Sequence, residues 1–275
     1  MASSQQEIVI EAGRTERRYW RDLWAYRELF AFLAWRDILV RYKQTVIGVA
    51  WSVLRPILTM VVFTIVFGRI ARLPSDGVPY PILVFCAMLP WHFFANAVSE
   101  GSNSLIQNAN IISKVYFPRL IVPASAVVVS FVDFLISLAL LAVLLVWYQF
   151  LPSPRAFLLP AFLVLAILVS IGLTLLLAAL NVRYRDFRYV VPFMIQFGLF
   201  ISPVGFGLAV IPEHWRWLYS LNPMVGIIEG FRWSLLPNYV LDPGVLVSSI
   251  LVSTIMLAAG VIYFRQTERS FADVI

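Results

Sequence analysis

Six long apolar runs set the main constraint on how this chain folds. They cover roughly residues 46–67, 80–98, 121–150, 157–180, 189–210 and 245–264. A helix rises about 1.5 Å per residue, so about 20 apolar residues are enough to cross a hydrocarbon core of ~30 Å. Inside a membrane the backbone must satisfy its own hydrogen bonds, which runs of this length do as helices. The pattern therefore predicts an all-α integral membrane protein with six transmembrane helices.

The composition excludes a soluble globular protein. Hydrophobic residues make up 61% of the 275 residues, charged residues make up only 13%, and the mean hydropathy is +0.84. Soluble domains have about 25% charged residues, so a soluble fold of this size would lack the polar side chains to cover its surface. The net charge of +6 does not indicate a nucleic-acid partner, because the basic residues gather beside the apolar runs.

The positions of the basic residues predict the orientation in the membrane. Eight of the 21 Lys and Arg residues fall between Arg14 and Lys43, before the first run. Six spans place both termini on one side of the membrane. The segments on that side hold 15 basic residues, and those on the other side hold five. Because cytoplasmic segments carry the excess of Lys and Arg, we expect both termini in the cytoplasm.

A short polar turn, residues 108–119, separates the second run from the third. Lys114 and Arg119 lie in this turn, with no other basic residue within 35 positions of them, and Asn108 and Asn110 are typical of turns and helix caps. The charge count places the turn in the cytoplasm. It either joins two spans and does nothing more, or it contacts a soluble protein.

The segment before the first span, residues 17–43, is predicted to be an amphipathic helix. Trp20, Leu23 and Trp24 recur at helical spacing and alternate with arginines. A helix with Trp and Arg at its margins lies in the plane of the lipid headgroups, although a soluble helix packed on another domain is the alternative. We divide the chain into residues 1–45, a cytoplasmic N-terminus with this helix, and residues 46–275, the transmembrane domain.

A region between the fifth and sixth runs is too short to span. The apolar stretch over residues 224–236 contains Glu229 and Arg232, and runs of 10–14 apolar residues are more often re-entrant or interfacial. Glu229 and Arg232 are three residues apart on a helix, so the two charges are expected to neutralise each other. The sequence predicts a re-entrant helical region here.

The motifs of a self-contained enzyme are missing from the sequence. No Gly is followed by Lys, which excludes a phosphate-binding loop, and two separate histidines with one cysteine do not form a zinc site. We expect no catalytic residue, no bound cofactor and no metal. Glu100, Asp133 and Glu229 lie at membrane depth, and each is either structurally paired or part of an ion-coupled transport site.

Aromatic residues make up 15% of the chain, and many lie inside the spans. Most are expected to face lipid or to pack between helices. A conduit for sugars also suits aromatic walls, because the apolar faces of sugar rings stack on them without fixed hydrogen bonds. The candidates for lining such a channel are Trp51, Phe63, Phe67, Trp91, Phe94, Phe134, Phe197 and Phe200.

An ordered set of short motifs resembles one family. The motifs are Arg21-Asp22-Leu23, Arg41-Tyr42-Lys43-Gln44-Thr45, Leu89-Pro90-Trp91, Lys114-Val115-Tyr116-Phe117-Pro118-Arg119, Asn181-Val182-Arg183-Tyr184-Arg185-Asp186 and Leu221-Asn222-Pro223-Met224. Together, over about residues 14–271, they resemble the ABC-2 type polysaccharide-export permeases, the membrane subunits of O-antigen, capsule and teichoic-acid exporters. No single motif is specific, but their order is.

The resemblance implies partners and a location. Members of the family are homodimers that work with two copies of a separate ATP-binding subunit, which holds ATP and magnesium. They lie in the bacterial inner membrane and export glycans linked to undecaprenyl pyrophosphate or another lipid. The missing phosphate-binding loop is what such a permease should show.

The resemblance also implies roles for particular residues. Residues 17–43 would form a gate helix near the lipid headgroups, and residues 211–236 would cap the periplasmic exit. The turn at residues 108–119 would couple to the ATP-binding subunit. The gate residues are Arg17, Arg18, Arg21, Trp24, Arg41 and Lys43. The coupling residues are Asn108, Asn110, Lys114, Tyr116, Phe117 and Arg119.

These expectations predict an ATP-driven exporter of a lipid-linked polysaccharide, with O-antigen as the first choice. Export of capsule or teichoic acid, or of drugs, is the alternative within the same fold. An ion-coupled secondary transporter using Asp133, Glu100 or Glu229 is an alternative of another class. A membrane glycan transferase is a third, and the absence of a clustered acidic or histidine site argues against it.

Overall fold

The computed structural model describes residues 16–43, 46–75, 77–268 and 271, with only the backbone described for 16–18 and 46–49. In the part described, the chain is helical and has no β-strand. The helices are α1 (Glu16–Ala25), α2 (Arg27–Lys43), α3 (Val46–Phe63), α4 (Tyr80–Gln107), α5 (Ala109–Ile112), α6 (Ile121–Trp147), α7 (Leu159–Arg183), α8 (Phe187–Ile201), α9 (Glu213–Tyr219), α10 (Pro223–Leu235) and α11 (Pro243–Thr267).

Five of the predicted runs form helices that are long and apolar enough to cross a membrane. These helices are Ala50–Ile70, Tyr80–Gln107, Ile121–Trp147, Pro154–Arg183 and Pro243–Thr267. The first continues α3 through a π-helical segment, Thr64–Ile70, and the fourth begins with a short 3-10 helix, Pro154–Leu158, that leads into α7. The fifth predicted run is different, because its helix α8 has only 15 residues and is about 22 Å long. The chain turns after α8, where Pro203 and Gly205 follow. The protein is a multi-pass membrane protein, and its described residues include five helices long enough to span and one shorter apolar helix.

Helix α4 is the centre of the bundle. It is buried along most of its length and packs against α6, α7 and α10, with α3 and α8 at its sides. The apolar run predicted for it ends near Val98, yet the helix continues to Gln107. The polar extension stays helical because its hydroxyls bond to the backbone of the preceding turn, as Ser104 Oγ does to the carbonyl oxygen of Gly101 at 2.7 Å.

Glycines allow α7 and α11 to cross closely. A Cβ atom placed on Gly260 of α11 would collide with the carbonyl group of Gly172 on α7, and one on Gly172 would lie 2.6 Å from the backbone of Leu257. Small residues at such crossings let helices approach without the hydrophobic driving force that acts in water. This contact holds α11 against the centre of the bundle.

The N-terminal segment forms two helices rather than the single helix that was predicted. They meet at Tyr26, whose N–H donates to the carbonyl of Asp22 at 2.9 Å, while its carbonyl accepts from the N–H of Phe30 at 3.1 Å. Helix α2 packs along α6 and buries Leu33 and Ala34.

The region between α8 and α11 packs at the end of the bundle opposite α5. Helix α10 is almost fully buried against α4, α7 and α11. Asn222 caps its first turn by accepting the N–H of Met224 at 3.0 Å. Its last turn contacts the loop before α7, where Ser153 N–H donates to the carbonyl of Leu235 at 2.9 Å.

Candidate functional site

The turn between α4 and α6 contains the helix α5 and an irregular segment of turns and bends up to Leu120. Asn108 begins α5, but its side chain does not cap that helix. Its amide nitrogen instead donates to the carbonyl of Ser104 at 2.9 Å, and its amide oxygen accepts from the Arg36 guanidinium at 2.8 Å. The predicted turn residue therefore links α2 to the end of α4.

The predicted coupling residues divide into an exposed group and an anchored group. Asn110, Lys114 and Tyr116 are exposed, Tyr116 to 63%. Phe117 is only 4% exposed and packs in an apolar cluster with Leu33 of α2 and others. The exposed surface of this turn is thus a cationic and aromatic tip held by a buried Phe.

Arg119 ties the turn to the end of α11. Its backbone N–H donates to Glu268 Oε1 at 2.7 Å, and its guanidinium donates to the Glu268 carbonyl oxygen. Tyr19 of α1 lies beside Glu268, and the Arg265 guanidinium stacks 4.6 Å from the Tyr19 ring centroid. Burial raises the pKa of Glu268, and burial with the Glu268 carboxylate raises the pKa of Tyr19.

The N-terminal helices contact the turn at two further points that sequence reasoning missed. Tyr26 Oη donates to the carbonyl of Tyr116 at 3.3 Å, and Arg36 bridges Asp37 at 2.7 Å to Asn108. Nothing in the local sequence distinguishes Tyr26 or Arg36 from other residues of the segment, since both partners lie more than 70 positions away.

The predicted gate residues occupy several environments. Arg21, Trp24 and Lys43 are exposed, and so are the apolar rings of Trp20, Phe32 and Trp35. The backbone of Arg17 and Arg18 belongs to α1, and their side chains lie outside the described residues. Arg41 is half-buried and forms an ion pair with Asp133 at 3.0 Å. The role of all six residues in admitting substrate stays a prediction.

Asp133, a candidate for ion coupling, is held by α2. Arg41 pairs with one of its oxygens, and Tyr42 Oη donates to the other. The pair borders a cavity of about 250 Å³ between α2, α3, α4 and α6, which we call the Arg41–Arg55 cavity. Its polar lining residues are Arg41, Tyr42, Ser52, Arg55, His92, Asn96, Asp133 and Ser137.

The two other membrane acids are in different settings. Glu100 is exposed at the side of α4. Glu229 is buried, pairs with Arg232 at 3.1 Å and accepts from Tyr239 Oη at 2.8 Å, so the predicted neutralising pair is confirmed. Within the described residues, no group of three or more His, Cys, Asp or Glu side chains is arranged to hold a metal ion.

The predicted channel aromatics form one exposed face and one buried set. Trp51, Phe197 and Phe200 are exposed, and Phe200 stacks on Phe63 of α3 at 6.4 Å between ring centroids. Phe67 is half-buried beside Phe63. Trp91, Phe94 and Phe134 are buried within the single subunit. The channel role of all eight stays a prediction.

Comparison with known proteins identifies similar sequences over nearly the whole chain. The profile of the ABC-2 type transporter family matches residues 28–236. The O-antigen export system permease protein RfbA of Myxococcus xanthus is 29% identical over 258 residues, covering 93% of this chain and 98% of that protein. An RfbA from Klebsiella pneumoniae is 26% identical, covering 90% and 95%. The polysialic acid transport protein KpsM of Escherichia coli is 23% identical, covering 86% and 92%.

Proposed function

Because this chain belongs to the ABC-2 type transporter family, we propose that it is the permease of an ATP-driven exporter of lipid-linked polysaccharide, with O-antigen as its cargo. The alignment with O-antigen export permeases over 98% of the length of one of them carries this proposal. Capsular polysaccharide is the second candidate, supported by the similarity to a polysialic acid transport protein.

The assembly we propose is a homodimer in the bacterial inner membrane with two copies of an ATP-binding subunit. Each permease crosses six times, with α8 as the short fifth span, and has both termini in the cytoplasm. The distribution of 15 basic residues against five supports this orientation. The buried helix α10 then lies at the periplasmic end as a re-entrant element.

Coupling in this proposal passes through the exposed tip of the α4–α6 turn. Lys114 and Tyr116 protrude, and the turn is fixed to α2 through Asn108 and to α11 through Arg119. A force that an ATP-binding subunit applies to the tip therefore reaches the N-terminal helices directly. These helices carry the exposed Trp and Arg residues expected to meet a lipid-linked substrate.

The decisive experiment separates ATP-driven from ion-driven export. An ion-coupled transporter needs an acid in the membrane that changes state in each cycle. Asp133→Asn removes the charge and keeps the size, so an ion-coupled transporter should lose all export in this variant, whereas an ATP-driven exporter, which loses only the Arg41–Asp133 ion pair, should keep part of it. Surface polysaccharide is measured in the variant, and in wild-type cells whose membrane potential and proton gradient are collapsed while ATP is maintained. Loss of export under both conditions would reject the ATP-driven function in favour of ion coupling.

A further inference from the structure

The Arg41–Arg55 cavity has a wall of two guanidinium groups and one carboxylate. Arg41 forms an ion pair with Asp133 at 3.0 Å. Arg55 lies in the apolar helix α3, is exposed, and its guanidinium has no hydrogen bond or ion pair to the residues that the structure describes. A cation within an apolar span is costly without a partner, so such residues mark pathways or ligand sites.

Further polar groups face the same space. His92 Nε2 is buried and lacks a hydrogen-bond partner among the described residues. Asn96 and Ser137 also line the cavity, and an amide or hydroxyl side chain is able to donate a hydrogen bond to a ligand oxygen. Two guanidiniums against one carboxylate leave the wall positive. These groups together select an anion with several oxygen atoms and exclude a bare cation.

From this charge and this set of donors, we propose that the Arg41–Arg55 cavity binds the phosphate or diphosphate group of a lipid. Guanidinium groups bind phosphate oxygens in pairs through their planar fork. A volume of about 250 Å³ lies below the ~300–1,000 Å³ typical of sites that enclose a whole ligand. It therefore fits a headgroup whose acyl or prenyl chain and glycan extend outside.

The position of the cavity suits a group carried on a lipid. Asp133 lies 12 residues into α6, about 18 Å along the helix, and Asn96 lies 11 residues before the end of α4, about 16 Å. Both distances are measured from the end of the bundle that carries α5. Trp51, which lines the cavity, is 56% exposed, and Leu54 and Leu58 of the same helix are exposed too. An apolar chain can thus lie along α3 while its phosphate reaches Arg55.

This inference rests on the proposed function, since it names the part of the lipid-linked substrate that this chain holds. Asp133 keeps Arg41 in place when the cavity has no anion. An incoming phosphate competes for the same guanidinium, which weakens the hold of α6 on the end of α2. Binding in the cavity is thereby linked to the freedom of the gate segment.

The test measures lipid binding to the purified permease by native mass spectrometry. The probes are undecaprenyl diphosphate, phosphatidic acid and inorganic pyrophosphate. We expect Arg55→Gln to weaken undecaprenyl diphosphate binding at least tenfold and Arg55→Lys to weaken it less. Arg185→Gln, an exposed arginine after α7, is the matched control and should change it less than twofold. Unchanged elution and melting without lipid establish that each variant is folded.

The arms of the experiment separate the sources of phosphate. Equal binding of phosphatidic acid, weakened by the same variant, supports the cavity as a general lipid-phosphate site. Binding of pyrophosphate with the same affinity as the lipids overturns the lipid assignment. If Arg55→Gln and Arg185→Gln lower the affinity for lipid equally, the proposed site is wrong, even when ATP-driven export persists. If cells export polysaccharide without ATP while lipid binding still depends on Arg55, the proposed function is rejected and the binding site is retained.

Discussion

The buried Arg232 allows a quantitative prediction about what holds together the end of the bundle opposite α5. Its side chain is 0% exposed and pairs with Glu229 at 3.1 Å. Its guanidinium also donates to the carbonyls of Phe206 at 2.8 Å and Val204 at 3.0 Å. These bonds fix the loop after α8 against α10. Arg232→Met removes them all and leaves the Glu229 carboxylate without its cationic partner.

The expected cost follows from the burial of the pair. Removing one partner of a buried ion pair costs about 3–5 kcal/mol, because the remaining charge is left unpaired. In chains of 150–250 residues each kcal/mol lowers the melting temperature by about 2–4 °C. We therefore expect Arg232→Met to melt roughly 10 °C below wild type. Adding Glu229→Gln removes the unpaired charge and keeps a hydrogen bond with Tyr239, so the double variant should recover about half of the loss.

The assay is thermal aggregation of detergent-purified protein followed by size-exclusion chromatography. Arg216→Met is the matched control, since Arg216 in the neighbouring helix α9 makes one hydrogen bond, to the carbonyl of Ile211 at 3.1 Å. It should melt within about 3 °C of wild type, since one such bond contributes about 1 kcal/mol. If Arg232→Met melts like Arg216→Met, or if the double variant melts lower than the single one, the reasoning about the buried pair is wrong.

Three further predictions address the helix crossing, the coupling tip and the end of α11. Gly260→Leu should destabilise the protein by about 1–3 kcal/mol, because its side chain collides with Gly172, whereas Ala259→Leu on the exposed side of α11 should melt like wild type. Lys114→Glu should lower surface polysaccharide without lowering the melting temperature, since Lys114 is exposed, and unchanged export would contradict a docking role for the tip. Burial raises the pKa of Glu268, so its ionisation destabilises the folded protein as the pH rises from the unfolded pKa of about 4.3 through the folded pKa. The melting temperature of Glu268→Gln should therefore rise relative to that of wild type between pH 4 and pH 8. A difference that stays constant over this range would contradict the prediction.

The spans were predictable because hydrophobicity alone determines them. Their ends were not, since they depend on how polar groups are satisfied. Ser102 and Ser104 predict the end of a span, because they are polar. Their hydroxyls donate hydrogen bonds to the preceding helical turn, however, and α4 continues to Gln107. Helix α8 shows the opposite difference, because it ends before the apolar run does. Pro203 and Gly205 stop the helix although the sequence around them is still apolar.

The candidate site was predictable in its composition but not in its contacts. The polar turn stands out by its isolated Lys and Arg, but Phe117 is buried in an apolar cluster that includes Leu33 of α2, which lies far away in the sequence. The bond between Arg119 and Glu268 joins residues 149 positions apart. No local pattern records such pairs, so sequence reasoning grouped Arg119 with the other coupling residues of the turn.

Asp133 shows how the contacts change the meaning of a membrane acid. In the sequence it is an isolated carboxylate among phenylalanines, which favours ion coupling and structural pairing equally. In the structure Arg41 and Tyr42 hold both of its oxygen atoms, and both residues belong to the segment predicted to act as a gate. An acid that binds and releases an ion in each cycle would have to break these bonds each time. In the alternative role, the same bonds hold the end of α2 against α6 until a phosphate displaces Asp133 from Arg41. The second role needs no ion gradient, and it agrees with the coupling proposed at the α4–α6 turn, to which α2 is also bound through Arg36.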